Sequence, residues 1–129
     1  MIRAIIKSIE ITEVADLDPV KFTPEDPEYF GCTVGLTIGP SDSDGGELFY
    51  LTVCSPRWIA KACEKDGFLW GRHHLIVPEY NLKAITEIIT KFVERCQGDS
   101  WKEVAAKLNR IASWEFEATC LKTIAQPVF

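Results

Sequence analysis

The chain has 129 residues, of which 47% are hydrophobic and 26% are charged, and its formal net charge is −5. This length and composition are typical of one soluble globular domain with a core of its own. They argue against a nucleic-acid binder, which would carry a basic stripe, and against a membrane protein, because no apolar run reaches the length of a span.

The negative charge is concentrated in the first third of the chain. Between Glu10 and Glu47 there are ten acidic residues and one basic residue, a net charge of −9. Such a field suits a basic partner, although loop acids also serve simply to keep a surface solvated. The first candidate partner-binding site comprises the acids in predicted loops, which are Asp16, Asp18, Glu25, Asp26, Glu28, Asp42 and Asp44.

The first half of the chain predicts three strands. Residues 2–11 are rich in β-branched side chains, but Ile5 and Ile6 break the alternation, so the register of this strand is open. Residues 12–29 hold three prolines and no periodicity, which predicts a long acidic loop. Alternating residues 30–38 and 47–54 flank turn-forming residues and predict a hairpin. If Gly39 lies opposite Glu47, the two strands place Cys32 opposite Cys54, and a bulge would shift this pairing.

The second half predicts helices around one more strand. Ser55 and Pro56 begin a short helix over 56–66, and an apolar run between Gly71 and Pro78 predicts a buried strand. A longer helix spans 82–96 after the cap Asn81, and a third helix follows the capping box of Ser100 and Glu103 and extends to residue 112. Residues 114–117 alternate and predict an extended segment.

These elements follow the order βββαβαα and predict an α+β fold. We expect a single layer of about four mainly antiparallel strands with two to three helices packed on one face. The connection through the first helix can make one strand pair parallel. Residues 1–117 form the predicted domain, and residues 118–129 form an apolar tail that we expect to dock on the domain, on a second copy in a homo-oligomer, or on the partner.

The chain contains five cysteines and two histidines. An odd cysteine count without CxxC spacing predicts free thiols in a cytoplasmic protein, and no signal-peptide segment is expected. Adjacent strand residues point to opposite faces, so His73 and His74 do not readily share a metal. We therefore predict no metal and no cofactor. A small cytosolic enzyme that pairs a histidine with a cysteine stays open as the alternative. The cysteines are Cys32, Cys54, Cys63, Cys96 and Cys120.

Several stretches resemble the immunity protein 8 family of bacterial polymorphic toxin systems. The most specific are Gly-Arg-His-His-Leu-Ile-Val at 71–77 and Trp-Glu-Phe-Glu at 114–117. The others are Phe-Thr-Pro-Glu-Asp-Pro at 22–27, Tyr-Phe-Gly at 29–31, Gly-Pro at 39–40, Val-Cys-Ser-Pro-Arg-Trp at 53–58 and Gly-Asp-Ser-Trp at 98–101.

This resemblance implies a small α+β cytoplasmic protein that is not an enzyme. Its task would be to bind a cognate toxin domain and block it by stoichiometric inhibition. The acidic first third suits a basic toxin, for example a nuclease. The resemblance carries no catalytic, metal or cofactor residues. A second candidate patch for binding the partner lies in the two stretches that resemble the family most specifically. It comprises Arg72, Trp114, Glu115 and Glu117.

Overall fold

The computed structural model describes residues 1–11 and 24–116 and confirms a mixed α+β fold. Its elements, in chain order, are β1 (Ile2–Ile11), β2 (Gly31–Pro40), β3 (Glu47–Cys54), α1 (Pro56–Ala62), β4 (His74–Ile76), α2 (Leu82–Arg95), β5 (Gln97–Gly98), α3 (Trp101–Leu108) and β6 (Ser113–Trp114). Residues 12–23 of the predicted loop, the predicted boundary at residue 117 and the apolar tail lie outside the described residues.

The described residues form one sheet of six strands, so the predicted count of four is wrong. The strand order is β4-β3-β2-β1-β5, and β6 pairs with β3. The strands β5 and β6 were missed because each has two residues, too few to leave a periodic pattern. The pair β3–β4 is parallel, as the connection through α1 allows, and every other pair is antiparallel.

A bulge in β1 resolves its broken alternation. The pairing with β2 shifts between Ile6 and Ser8, so that Ile6 faces Ile38 whereas Ile9 faces Leu36. The extra residue returns the later isoleucines to the face that Ile6 occupies. Alternation then holds on both sides of the bulge.

The predicted register of the hairpin is wrong by one residue. Ile38 faces Glu47 and Cys32 faces Val53, while Cys54 faces Gly31. The tip is longer than expected because β2 continues to Pro40, where it pairs with β1 instead of β3. Since neighbouring strand residues point to opposite faces, Cys32 and Cys54 lie on opposite sides of the sheet.

The core lies on one face of the sheet, under α2 and α3. Alternate residues of β2 and β3 are buried there, and the inward residues of both helices complete the same cluster. The buried members from these four elements are Cys32, Val34, Leu36, Ile38, Phe49, Leu51, Val53, Ile85, Ile89, Val93, Val104, Ala105 and Leu108. This amphipathic arrangement follows directly from the two periodicities, 2.0 in the strands and 3.6 in the helices.

The short helix α1 lies on the other face, which corrects the prediction of helices on one face only. A Cβ added to Gly31 would point away from the core and come within 3.0 Å of the Trp58 ring. The buried Ser55 caps α1 through the Trp58 N–H and also accepts the Phe30 N–H at 3.1 Å. One hydroxyl group therefore fixes both the start of α1 and the end of the loop that precedes β2.

The other predicted caps are confirmed. Asn81 accepts the Ala84 N–H at 3.1 Å at the start of α2. Ser100 accepts a hydrogen bond from the Glu103 N–H at 3.2 Å, and the Glu103 carboxylate accepts one from the Asp99 N–H at 3.2 Å. The helix α3 ends at Leu108, four residues before the predicted end, because the chain turns toward β6.

Candidate functional site

The described acids of the first candidate site lie in two separate places. Glu25, Asp26 and Glu28 precede β2, whereas Asp42 and Asp44 lie at the hairpin tip beyond its other end. A ten-residue strand spans roughly 30 Å, so the two groups cannot meet in one small contact. Asp16 and Asp18 lie outside the described residues.

Asp26 has a structural role in the loop before β2. Its carboxylate accepts the Glu28 N–H at 2.9 Å and pairs with Arg57 of α1 at 3.0 Å. The Arg57 guanidinium in turn lies 5.7 Å from the centre of the Tyr29 ring. Glu25 and Glu28, like Asp42 and Asp44, are exposed. Within the first candidate site, these four carboxylates are therefore the described acids that can reach a partner at little structural cost.

The second candidate patch is brought together along the edge of β3 that lies away from β2. The edge pairs with His74 in β4 and with Ser113 in β6, only two residues apart along β3. Asn109 connects the two segments, because its carbonyl oxygen lies 2.7 Å from His73 Nε2 and its side-chain oxygen accepts the Trp114 N–H at 2.9 Å. The sequence alone did not point to Asn109, which belongs to neither stretch.

The members of this second patch differ in exposure. Trp114 is half-buried, stacks on Phe49 with ring centres 6.5 Å apart, and donates its indole N–H to Glu47. Glu115 donates its backbone N–H to the Leu48 carbonyl, which leaves its exposed side chain pointing outward. Arg72 is exposed beside β4. Glu117 lies outside the described residues.

An open cavity of about 420 Å³ lies beside Arg72, between β4, α2 and the turn after α3. Its walls are mainly apolar and come from Leu51, Leu75, Ile88, Ile89, Phe92 and Ile111. The remaining lining residues are Gly71, Arg72, His73, His74 and Arg110. The stretch 71–77, one of the two that most specifically carry the family resemblance, thus contributes residues 71–75 to one wall of the cavity.

The backbone at this wall is constrained. His73 has a φ of 57°, a left-handed conformation that costs a residue with a side chain on the order of 1 kcal/mol. In this conformation its carbonyl accepts the Thr52 N–H at 3.0 Å, while its ring reaches Asn109. Both histidines contact backbone carbonyls, since His74 Nδ1 lies 2.7 Å from the Arg72 oxygen. A carbonyl only accepts, so each of these ring nitrogens carries the proton.

The family model described as Immunity protein 8 matches residues 4–118 of this chain. The chain belongs to the Immunity protein 8 family. The match confirms the resemblance that the sequence stretches indicate. No curated protein and no solved structure matches the chain.

This family member also carries an exposed aromatic loop that the sequence analysis missed, Phe68-Leu69-Trp70. Phe68 is 57% exposed and Trp70 is 76% exposed, and their rings meet edge to face with centres 5.9 Å apart. The loop lies between Gly67 and Gly71 and leads directly into the cavity wall. Three large apolar residues between two glycines, outside any periodic pattern, were the signal that could have revealed it.

Three of the described thiols of this immunity-family protein, those of Cys32, Cys54 and Cys96, are buried. Cys32, Cys54, Cys63 and Cys96 form no disulfide bond within the described part of the chain, and Cys120 lies outside it. Burial raises the pKa of Cys54 to about 11, the opposite of the lowering that a nucleophilic cysteine needs. Burial also raises the pKa of Cys96, although Lys107 and Arg110 act in the other direction.

Two further properties of this family member concern metal binding and membrane insertion. No three histidine, cysteine, aspartate or glutamate side chains among them are grouped closely enough to hold a metal ion. None of the described helices has the length and apolar character needed to cross a membrane.

Proposed function

We propose that this protein binds a cognate toxin domain in the cytoplasm of the cell that makes both, and inhibits it by stoichiometric occupation of its surface. The observation that carries the proposal is membership of the Immunity protein 8 family across residues 4–118. An inhibitor of this kind needs a stable scaffold and a presented surface, and it needs no reactive group of its own. The raised pKa of Cys54 gives no support to the alternative of a cysteine–histidine enzyme.

The charge distribution favours a basic toxin, of which a nuclease is one example. The net charge is −5, and the segment from Glu10 to Glu47 carries −9. A field of this sign attracts a basic protein over a distance of about 8–10 Å at moderate salt and raises the association rate. Because the described loop acids lie at the two ends of β2, we expect at most one of the two groups to lie at the contact.

The direct test uses the toxin domain encoded beside this chain. We expect co-expression with this protein to restore growth to cells that the toxin domain kills, and the purified pair to form a complex of defined stoichiometry. A toxin domain that is neither bound nor inhibited by an equal amount of this protein would overturn the proposal.

The contribution of charge is tested by two variants that neutralise one acidic group each. One variant carries Glu25→Gln and Glu28→Gln, and the other carries Asp42→Asn and Asp44→Asn. We expect one of them to lower the association rate at low salt, with a smaller effect at physiological salt, because rim charges act mainly on encounter. Asp26 is left intact because it pairs with Arg57. Unchanged rates in both variants at both salts would place the contact elsewhere.

A further inference from the structure

We infer that the cavity beside β4, together with the Phe68–Trp70 loop, is the anchoring site for the toxin, and that it receives an apolar side chain next to a carboxylate. The inference rests on the proposed function and names the chemistry of the partner segment. Its three supports are the shape and lining of the cavity, the charge at its rim, and the exposed aromatic loop beside it.

The cavity is suited to an apolar group. Its volume of about 420 Å³ falls in the range of roughly 300–1,000 Å³ that is typical of protein ligand pockets. Ile88 of α2 is 46% exposed at this cavity, although Ile85, Ile89 and Val93 of the same helix are buried. An apolar side chain placed there would remove Ile88 and the neighbouring walls from water.

The rim of the cavity is positively charged. Its lining includes Arg72 and Arg110, and none of its lining residues within 1–11 and 24–116 is an aspartate or glutamate. Arg110 is exposed in the turn after α3, where its guanidinium is able to receive a carboxylate in two parallel hydrogen bonds. Each histidine of the wall keeps one ring nitrogen that is not committed to a backbone carbonyl. The complementary occupant is therefore apolar with an adjacent negative charge.

The aromatic loop indicates a macromolecular occupant. Phe68 and Trp70 lie outside the cavity and immediately precede Gly71 and Arg72 of its wall. Trp and Arg are among the residue types most enriched in the few positions that dominate the binding energy of protein interfaces. A small ligand inside the cavity would leave the loop in water, whereas a protein segment crossing the rim would cover both.

The charge of this site is opposite to that of the acidic first third. A toxin that is basic overall and presents one acidic, apolar segment satisfies both surfaces. The acids then act on the rate of encounter, and the cavity and aromatic loop act on the lifetime of the complex.

The test compares three variants of the full chain in binding to the toxin domain. Phe68→Ala with Trp70→Ala removes the aromatic loop, and Arg110→Glu reverses the rim charge. Lys102→Glu is the matched control, because it makes the same charge change in an exposed residue at the other end of α3. We expect the first two variants to weaken binding at least tenfold, mainly through faster dissociation, and the control to change it less than twofold. Thermal unfolding should be unchanged in all three, because the substituted side chains are exposed.

The outcomes separate this inference from the proposed function. If the parent protein binds the toxin and all three variants bind equally well, the anchoring site is wrong and the proposed function stands. If the parent does not bind the toxin, the proposed function fails and this inference fails with it. If toxin affinity is unchanged but sedimentation shows that the aromatic variant alone loses self-association, the occupant is a second copy and the inference is overturned.

Discussion

Substitution of Gly31 by alanine tests the placement of α1 on the outer face of the sheet. The added Cβ would lie well within 3.0 Å of three atoms of the Trp58 ring, so the ring has to retreat by roughly 1.5 Å to reach ordinary contact. Overpacking of this kind destabilises the folded state by about 1–3 kcal/mol. Alanine also lowers the conformational entropy of the unfolded chain, which stabilises the protein by about 0.5–1 kcal/mol. We expect Gly31→Ala to lower the free energy of unfolding by up to about 2.5 kcal/mol, and by about 1–3 kcal/mol relative to a glycine-to-alanine change that meets no neighbouring atom.

Urea unfolding followed by circular dichroism measures this change. The matched control is Gly71→Ala, because a Cβ at Gly71 would meet nothing within 4 Å and its φ is not positive. A double-mutant cycle with Trp58→Ala isolates the clash, since alanine at position 58 leaves room for the new methyl group. If Gly31→Ala is as stable as Gly71→Ala, or if its cost persists in the Trp58→Ala background, Trp58 does not lie over Gly31.

Two further predictions concern the buried groups near the start of α1. Ser55→Ala should lower the unfolding free energy by about 1–3 kcal/mol, because the cap of α1 and the partner of the Phe30 N–H are lost together. Ser100→Ala, which removes an exposed cap only, should cost about 1 kcal/mol, and equal costs in urea unfolding would contradict the double role. Stability should also fall as the pH rises from about 9 to 11, because the unfolded chain releases the Cys54 proton at its ordinary pKa while burial makes the folded chain retain it. Cys54→Ala should remove up to about 2 kcal/mol of this fall, and an unchanged pH slope would show that the folded thiol titrates normally.

Sequence patterns predicted the long elements because each carries its own periodicity and caps. The strands β1 and β3 match the predicted ranges, and β2 and α2 differ from theirs by one or two residues. The caps Ser55, Asn81 and Ser100 act locally, within three residues of their partners, so the sequence displays both members of each interaction.

Patterns failed where partners are distant along the chain. The hairpin register depends on how far β2 continues along β1. The residues of the hairpin itself do not indicate that length. Similarly, β5 forms by pairing with β1, and β6 forms by pairing with β3. A segment of two residues is too short to show a strand pattern in the sequence.

The same division applies to the candidate sites. The amino-acid sequence by itself determined the family, the excess of acids in the first third, and the stretches 71–77 and 114–117 that carry the resemblance. Only the tertiary structure decided that the described acids separate to the two ends of β2, that Asn109 connects His73 with Trp114, and that Arg72 and His73 line one cavity. The physical reason is that charge and helical or strand periodicity are properties of consecutive residues, whereas a surface is assembled by pairing along the edges of β3 and by packing of α2 and α3.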